Sequence, residues 1–167
     1  MRLTTKARYA VTAMLDIALH GNGSLVTVAD ISKRQAISQS YLEHLFSKLR
    51  HGHLVESVHG PGGGYSLAKN LNDISVADII QAVNEPIDAT QCRGKLNCHA
   101  GRRCMTHALW AELNDEINRY LGSVSLSRLV AQQRQQDAAR QPHMLLPEQP
   151  MKGEGADHVH SPGKPGQ

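Results

Sequence analysis

The feature that most constrains the fold is a short helix, a tight turn and a longer helix, followed directly by two strand-like segments. Residues 28–35 and 39–50 show helical periodicity, and Ala36-Ile37 forms the turn between them. Thr27 and Ser38 stand where capping side chains begin the two helices. The longer helix gathers its apolar side chains on one face and leaves polar side chains on the others. This order predicts a helix-turn-helix motif.

The strand-like segments extend this motif to a winged helix. Residues 53–58 and 65–68 are read as two short strands, and the glycine-rich run 59–64 joins them as a hairpin loop. A flexible loop is the alternative for this run. A phosphate-binding loop would need a following helix and a Lys-Ser/Thr ending, which are absent here.

Helical periodicity also marks the segments on both sides of the motif. Residues 5–20 and 75–84 read as amphipathic helices, and Pro86 ends the second one. A long helix follows Cys104 to about residue 121, and residues 125–130 could add one more turn. The apolar residues of the long helix need a covering surface, either in the same domain or on the same helix of a second subunit. They are Leu109, Leu113, Ile117, Tyr120 and Leu121.

These segments divide the 167 residues into one domain with appendages, and the predicted fold class is mainly α. We assign residues 1–85 to the winged helix-turn-helix domain, 86–107 to a cysteine-rich loop, 108–131 to a long dimerisation helix region and 132–167 to a disordered tail. Glutamine, proline, glycine and histidine dominate the tail. Because no apolar run reaches roughly 18 residues and no signal-peptide core is present, we expect a cytoplasmic protein without a membrane partner.

The charge distribution favours an anionic partner for the N-terminal half. Residues 1–70 hold eight lysines and arginines against four acidic residues, whereas residues 71–167 hold ten against eleven. The surplus of basic residues is typical of nucleic-acid binding, although a solvated basic surface would give the same count.

The three cysteines form a ligand-like pattern with one histidine, Cys92-x5-Cys98-x5-Cys104-x2-His107. Ordinary reduced cysteines usually lie on apolar strands and helices, whereas these lie in polar coil. Zinc and an iron-sulfur cluster both accept thiolate and imidazole ligands. The two five-residue gaps favour the wider cluster, since structural zinc sites commonly use closely paired cysteines. His99 is a competing imidazole, but its adjacency to Cys98 would strain simultaneous ligation.

Nearby basic residues suit such a site because cations lower the pKa of thiols and offset the charge of bound thiolates. They are Arg93, Lys95, Arg102 and Arg103.

The longer helix of the motif supplies the residues expected to read DNA, because its N-terminal part enters the major groove. Candidates for base contacts are Ser38, Gln39, Ser40, Tyr41, Glu43 and His44, and candidates for phosphate contacts are Lys48 and Arg50. Near DNA, the Glu43 carboxylate is repelled by phosphates unless it accepts a hydrogen bond, for which cytosine N4 is the natural donor. It can therefore act as a filter, or remain a solvated helix residue.

Over roughly residues 1–130 the chain resembles the IscR family of bacterial iron-sulfur cluster regulators, which are winged-helix transcription factors. The resemblance rests on residues 1–6 (MRLTTK), 37–43 (ISQSYLE) and 60–65 (GPGGGY), together with the cysteine-histidine signature. The glycine-rich wing alone would also fit relatives that carry no cluster. His59 departs from the arginine that the family commonly has, and the tail carries no family motif.

The resemblance implies a homodimer that holds a [2Fe-2S] cluster on Cys92, Cys98, Cys104 and His107. It implies repression of the iron-sulfur assembly operon when the cluster is bound, and recognition of a second class of operator sites in double-stranded DNA without it. It also implies the iron-sulfur assembly machinery as cluster donor and a discriminating role for Glu43. The wing residues His59, Gly60 and Pro61 are the expected contacts to the minor groove or phosphates.

Two rival classes share the fold: a zinc-stabilised DNA-binding protein without a sensing role, and a thiol-based redox or nitric-oxide sensor. An enzyme is a more distant alternative, because no nucleophile and base occur together in a credible context and the ligand set leaves no obvious open coordination position.

Overall fold

A computed structural model describes residues 4–85, 88–90, 92 and 95–140. It contains six α-helices in this part of the chain, with a two-stranded antiparallel sheet after the third. The helices are α1 (Thr5–His20), α2 (Val28–Gln35), α3 (Gln39–His51), α4 (Val76–Ala82), α5 (His107–Ser123) and α6 (Leu126–Arg140), and the strands are β1 (Val55–Val58) and β2 (Gly64–Leu67). A 3₁₀ turn at Leu71–Asp73 precedes α4.

The helix-turn-helix prediction is confirmed by α2 and α3, which pack against α1. The apolar face of α3 is fully buried through Leu42, Leu45, Phe46 and Leu49. Thr27 caps α2, because its hydroxyl accepts a hydrogen bond from the Asp30 N–H at 3.1 Å. Ser38 occupies the capping position of α3, but its side chain makes no capping hydrogen bond, so the expected cap is wrong.

The wing is a hairpin in which Val55 pairs with Leu67 and Val58 with Gly64. It lies against the core through the rings of Phe46 and Tyr65, which stack with centroids 4.5 Å apart. The first strand begins at Val55 rather than at the predicted residue 53, because His53 adopts a left-handed φ of 54° and its N–H closes the end of α3 on Arg50.

Glycine is required inside the wing loop. Gly60 has a φ of 104°, and a Cβ on Gly63 would lie 2.3 Å from the Val58 carbonyl oxygen. The loop therefore has a defined turn geometry, which replaces the alternative of an unstructured glycine-rich linker.

The predicted helix at residues 75–84 is observed as α4. Ser75 and Asp78 form a reciprocal capping box, and Ile79 and Val83 are fully buried. Helix α4 ends at Ala82, and Pro86, expected to end it, lies outside the described residues.

Helix α5 is the predicted long helix, and it leaves most of its apolar face uncovered. Leu109 is 58% exposed and Tyr120 61%, and His107 is the one buried residue of this helix. The same domain covers only part of this face, because Leu121 packs against a buried cluster that contains Ile80, whereas Leu113 is also exposed. Cover of the exposed residues by the same helix of a second subunit stays a prediction.

Helix α6 corrects the expected boundary of the tail. A single turn was predicted at residues 125–130 and disorder from residue 132, but the helix continues to Arg140. Leu126 and Val130 anchor its first turns in the core, and the glutamine, arginine and alanine residues that follow favour an exposed helix. The remaining tail, residues 141–167, lies outside the described residues. Every helix among the described residues is too short or too polar to cross a membrane.

Candidate functional site

The ligand-like residues meet where the cysteine-rich loop runs into α5. His107 is the first residue of α5, and its Nδ1 lies 3.6 Å from the Cys92 sulfur and 3.5 Å from the Cys98 sulfur. The ligand atoms of these three residues all lie within 4.8 Å of one another. Cys92 and His107 are each 7% exposed. Two soft sulfur donors and one imidazole nitrogen thus converge on one largely buried point.

Cys104 lies beside this group. Its N–H donates to the Cys98 sulfur at 3.1 Å, and its own sulfur lies 3.7 Å from the Thr106 hydroxyl. Contacts with Cys98 and then Thr106 hold the pKa of the Cys104 thiol below its usual value of 9.0. A thiol of lowered pKa supplies thiolate, the form that binds metals.

The chemistry of this donor set fits both candidate groups. Three cysteines and one histidine can hold zinc or an iron-sulfur cluster. A sulfur and a nitrogen on one tetrahedral zinc stand about 3.6 Å apart, given the usual bond lengths. The observed sulfur-to-nitrogen distances match that value, so these atoms are spaced for one ion and would have to separate to embrace two irons.

His99, the competing imidazole, lies outside the converging group. Its backbone forms a two-bond bridge with Arg102, and its side chain is exposed. Lys95, Arg102 and Arg103 are described in the loop, whereas Arg93 lies outside the described residues.

The segment that leads to Cys92 is fixed to α5. The Asn114 side chain accepts from the Ala89 N–H at 2.7 Å and donates to the Asp88 carboxylate at 2.8 Å. Asn114 lies two helical turns after His107 on the same face. Helix α5 therefore carries the candidate ligand His107 and also fixes the segment that precedes the candidate ligand Cys92. The spacing of the cysteines and the histidine does not reveal this arrangement.

A hydrogen-bonded pair lies beside the ligand group. The Trp110 indole N–H donates to the Thr106 hydroxyl at 3.2 Å, one helical turn earlier. Both residues line a cavity of about 320 Å³ that also touches Cys98 and Cys104. Neither residue was predicted from the sequence, although Thr106 and Trp110 stand four residues apart, the spacing of neighbours on one helix face.

The residues expected to contact DNA lie on or just before α3 and in the wing loop. Ser38, Gln39, Ser40, Glu43, His44, Arg50, His59, Gly60 and Pro61 are exposed, and Tyr41 and Lys48 are half-buried. The Gln39 amide donates to the Glu43 carboxylate at 3.0 Å, which orients the carboxylate along the helix surface. Arg50 donates to the Ser57 hydroxyl at 3.3 Å, so α3 is linked to the wing.

A buried carboxylate links α1 to α2, the first helix of the helix-turn-helix motif. Asp16 on α1 is 1% exposed and accepts hydrogen bonds from Arg34 and Gln35 on α2. Burial opposes its ionisation, but the hydrogen bonds from Arg34 and Gln35 outweigh burial and hold the pKa of Asp16 below its usual value. The sequence signal that was missed is an acidic residue inside the apolar stripe of α1.

Comparison with known protein families matches residues 3–132 to Rrf2, described as an iron-dependent transcriptional regulator. The chain belongs to the Rrf2 family. The matched range spans the winged helix, the cysteine-rich loop and α5, and it ends within α6. The chain is thus a winged-helix transcriptional regulator.

Individual Rrf2 relatives agree with this assignment. The HTH-type transcriptional regulator IscR of Xenorhabdus nematophila is 58% identical over 139 residues, which cover 83% of this chain and 85% of the relative. The solved structure of T. potens IscR has a TM-score of 0.64 at 30% identity and covers 88% of this chain and 94% of its own. CymR, the global cysteine regulator of B. subtilis, has a TM-score of 0.67 at 28% identity, with coverage of 78% and 97%.

Proposed function

We propose that this Rrf2 protein is a homodimeric regulator, acting in the cytoplasm, that senses iron-sulfur supply. It holds a [2Fe-2S] cluster on Cys92, Cys98, Cys104 and His107 and binds operator sites in double-stranded DNA. The observation that carries a metal-responsive regulator is the meeting of Cys92, Cys98 and His107 in a chain whose α3 presents an exposed polar surface. The IscR name of its similar relatives supports the choice of cluster.

The four proposed ligands come from the loop and the first turn of α5. Cys104 is included as the fourth ligand because its N–H donates to the Cys98 sulfur, which places it beside the other three residues. A bound cluster would report the supply of iron-sulfur clusters. Because an imidazole takes the place of a fourth thiolate, the cluster is retained more weakly, and occupancy of the site can follow supply. The protein receives the cluster from the iron-sulfur assembly machinery and, when loaded, represses the assembly operon.

Helix α5 supports the proposed dimer. Its exposed Leu109, Trp110 and Leu113 follow the ligand His107 directly. Burial of these side chains in a dimer would stabilise the dimer by about 25 cal/mol for each Å² of apolar surface removed from water. Because α5 also holds the ligand loop, dimer geometry and ligand binding involve the same helix.

Discrimination between operator classes is assigned to Glu43. In the free protein its carboxylate is held by Gln39, so it already stands on the exposed surface of α3 as an acceptor. A cytosine N4 can satisfy this acceptor, whereas a phosphate or an acceptor edge of a base repels it. Lys48 and Arg50 supply sequence-independent contacts to phosphate, and the wing contributes through His59, Gly60 and Pro61.

A single-metal regulator is the second candidate, because the sulfur-to-nitrogen distances equal those of one tetrahedral ion. Absorption spectra and metal analysis of protein purified without oxygen separate the two candidates. Visible charge-transfer absorption with iron and acid-labile sulfide supports the cluster, whereas colourless protein containing zinc supports the single ion.

Cysteine variants provide the second part of this test. We expect Cys98→Ala to remove the absorption and the iron while leaving the helical circular dichroism and dimer unchanged, because the core of the winged helix excludes Cys98. Loss of the fold in this variant would show a structural metal site and contradict the sensing role.

A further inference from the structure

Thr106 stands at the capping position of α5, yet its side chain makes no capping hydrogen bond. Thr4, Thr27 and Ser75 occupy the same position before α1, α2 and α4, and each of their hydroxyls accepts from the N–H three residues on. The backbone at those three residues is extended, with ψ between 151° and 161°, whereas ψ of Thr106 is 8°. Thr106 therefore gives up the stabilisation that a capping threonine supplies to its helix.

The Thr106 hydroxyl contacts two other side chains instead. Trp110, one turn later on α5, donates its indole N–H to the hydroxyl oxygen at 3.2 Å. The Cys104 sulfur lies 3.7 Å from the same oxygen. All three residues line the cavity of about 320 Å³ at the ligand group. The hydroxyl thus contacts a proposed ligand rather than the N–H groups of its own helix.

Trp110 determines which way the hydroxyl donates. An indole N–H can only donate, so it occupies a lone pair of the Thr106 oxygen and leaves the hydroxyl hydrogen for another acceptor. Cys104 binds a metal as thiolate, which carries no proton. In the ligating state the hydroxyl is therefore the donor in the contact between Thr106 and Cys104.

The Cys98 sulfur has a comparable donor, the Cys104 N–H at 3.1 Å. Hydrogen bonds to ligating sulfurs withdraw electron density from them, which favours the more negative state of a cluster and raises its reduction potential. The two donors differ in how they can be removed. The backbone N–H persists in most substitutions, whereas the hydroxyl depends on threonine or serine at position 106.

We propose that Thr106 is a positioning residue that donates a hydrogen bond to the Cys104 thiolate, with Trp110 orienting its hydroxyl, and that this bond tunes the ligating sulfur. The inference rests on the proposed ligand site and deepens it. Because Thr106 lies between Cys104 and His107 in the chain, ligation of both residues keeps the hydroxyl near the sulfur. The expected consequence is a higher reduction potential of the loaded protein than the four ligands alone would give.

The experiment measures the reduction potential of the loaded full chain by anaerobic titration with dithionite. We expect Thr106→Val to shift the potential to a lower value, because valine keeps the branched shape and removes the donor. At the wild-type midpoint, the ratio of reduced to oxidised protein should fall about two- to fivefold, since only part of the free energy of one hydrogen bond differs between the two oxidation states. Thr106→Ser keeps the hydroxyl and should retain the wild-type potential. Trp110→Phe should shift the potential in the same direction as Thr106→Val, by a smaller amount.

Two controls separate this role from a structural one. Thr12→Val removes the same hydroxyl from α1, which contributes no residue to the ligand group, and should leave the potential at the wild-type value. Because the Thr106 side chain does not cap α5, metal-free Thr106→Val should keep the Tm of the metal-free wild type. A lower Tm would show that Thr106 supports the helix. That result, an unchanged potential in Thr106→Val, or an equal shift in Thr106→Ser would each overturn the inference.

Cobalt(II) added alone to metal-free protein tests the hydroxyl without a cluster. Co²⁺ takes up tetrahedral thiolate and imidazole sites of the kind that hold zinc, and its thiolate charge-transfer absorption reports the electron density on sulfur. Thr106→Val should shift this band to longer wavelength, and Thr106→Ser should not. A site that loads normally but shows no effect of valine contradicts the role of Thr106 alone. Wild-type protein that binds neither iron nor cobalt contradicts the proposed function and this inference with it, so the two failures are distinguishable.

Discussion

Replacement of the buried Asp16 by asparagine is predicted to destabilise the whole reading head. The Asp16 side chain has no exposure, and it accepts from Arg34 at 2.6 Å and from Gln35 at 2.7 Å. Asparagine keeps the shape of the side chain but removes its charge and one acceptor oxygen. The Arg34 guanidinium then loses its anionic partner, and α2 loses its polar link to α1.

The magnitude follows from the unequal exposure of the two partners. Breaking a fully buried ion pair costs about 3–5 kcal/mol, whereas an exposed pair contributes about 0–1 kcal/mol. Arg34 is 32% exposed and can recover some hydration, so the expected cost lies between these limits. We expect a loss of about 2–3 kcal/mol in the free energy of unfolding, or on the order of 10 °C in Tm.

Urea denaturation followed by circular dichroism measures this loss, with Asp115→Asn on the exposed surface of α5 as the matched control. The control removes the same charge and should change stability by less than about 0.5 kcal/mol. If Asp16→Asn is no more destabilising than Asp115→Asn, the argument that this buried ion pair supports α2 is refuted.

The same comparison has a definite pH dependence. Because the pKa of Asp16 is lowered in the folded chain, its ionisation stabilises the fold above its usual value of 3.8. This contribution declines as the pH falls through the lower folded value. The stability difference between wild type and Asp16→Asn should therefore shrink below about pH 4. A difference that grows with acidification would reverse the assigned sign.

Further predictions concern the ligand site, the reading helix and the tail. His107→Cys should retain iron longer than wild type in a chelator challenge, because a fourth thiolate replaces the imidazole; faster loss would argue against ligation by His107. Metal-free Glu43→Ala should gain affinity at sites that the metal-free wild type rejects, and lose about 1–3 kcal/mol at accepted sites where Glu43 meets cytosine. Equal weakening at both, measured at one salt concentration, would remove the filter role. Deletion of residues 141–167 should leave DNA affinity and metal content unchanged, and a large shift in operator affinity would show that this segment docks.

The elements that the sequence predicted well are those in which local pattern and burial agree. Residues 28–35 and 39–50 bury one apolar stripe each, and the observed α2 and α3 differ from these bounds by at most one residue. The length of helix α6 was underestimated because its second half has no buried apolar pattern. Its apolar pattern ends near Val130, and the exposed continuation depends on helix propensity alone, which a search for periodic apolar residues does not detect.

The fold brings together three of the four predicted ligand residues, Cys92, Cys98 and His107, whereas the Cys104 sulfur lies outside this group, and the contacts that support the group were not predicted. The spacing of Cys92, Cys98 and His107 indicated common ligands, and the fold brings their ligand atoms together. Asn114 was not predicted as a clamp for the loop, because a polar residue on an exposed helix gives no local sign of a partner 25 or 26 residues away.

The core of the reading head and the ligand group are separate, and this separation constrains how occupancy of the ligand group can affect DNA binding. The core of the reading head closes through α1, α3 and α4, and the ligand group stands apart on the loop and α5. Loss of a bound metal or cluster is therefore expected to leave the core intact, and its effect would reach the reading head through the packing of α5 on α4. Contacts of this kind change affinity by modest factors. A regulator built this way adjusts occupancy of its DNA sites while remaining folded in both states, whereas a structural metal site would couple ligand loss to unfolding.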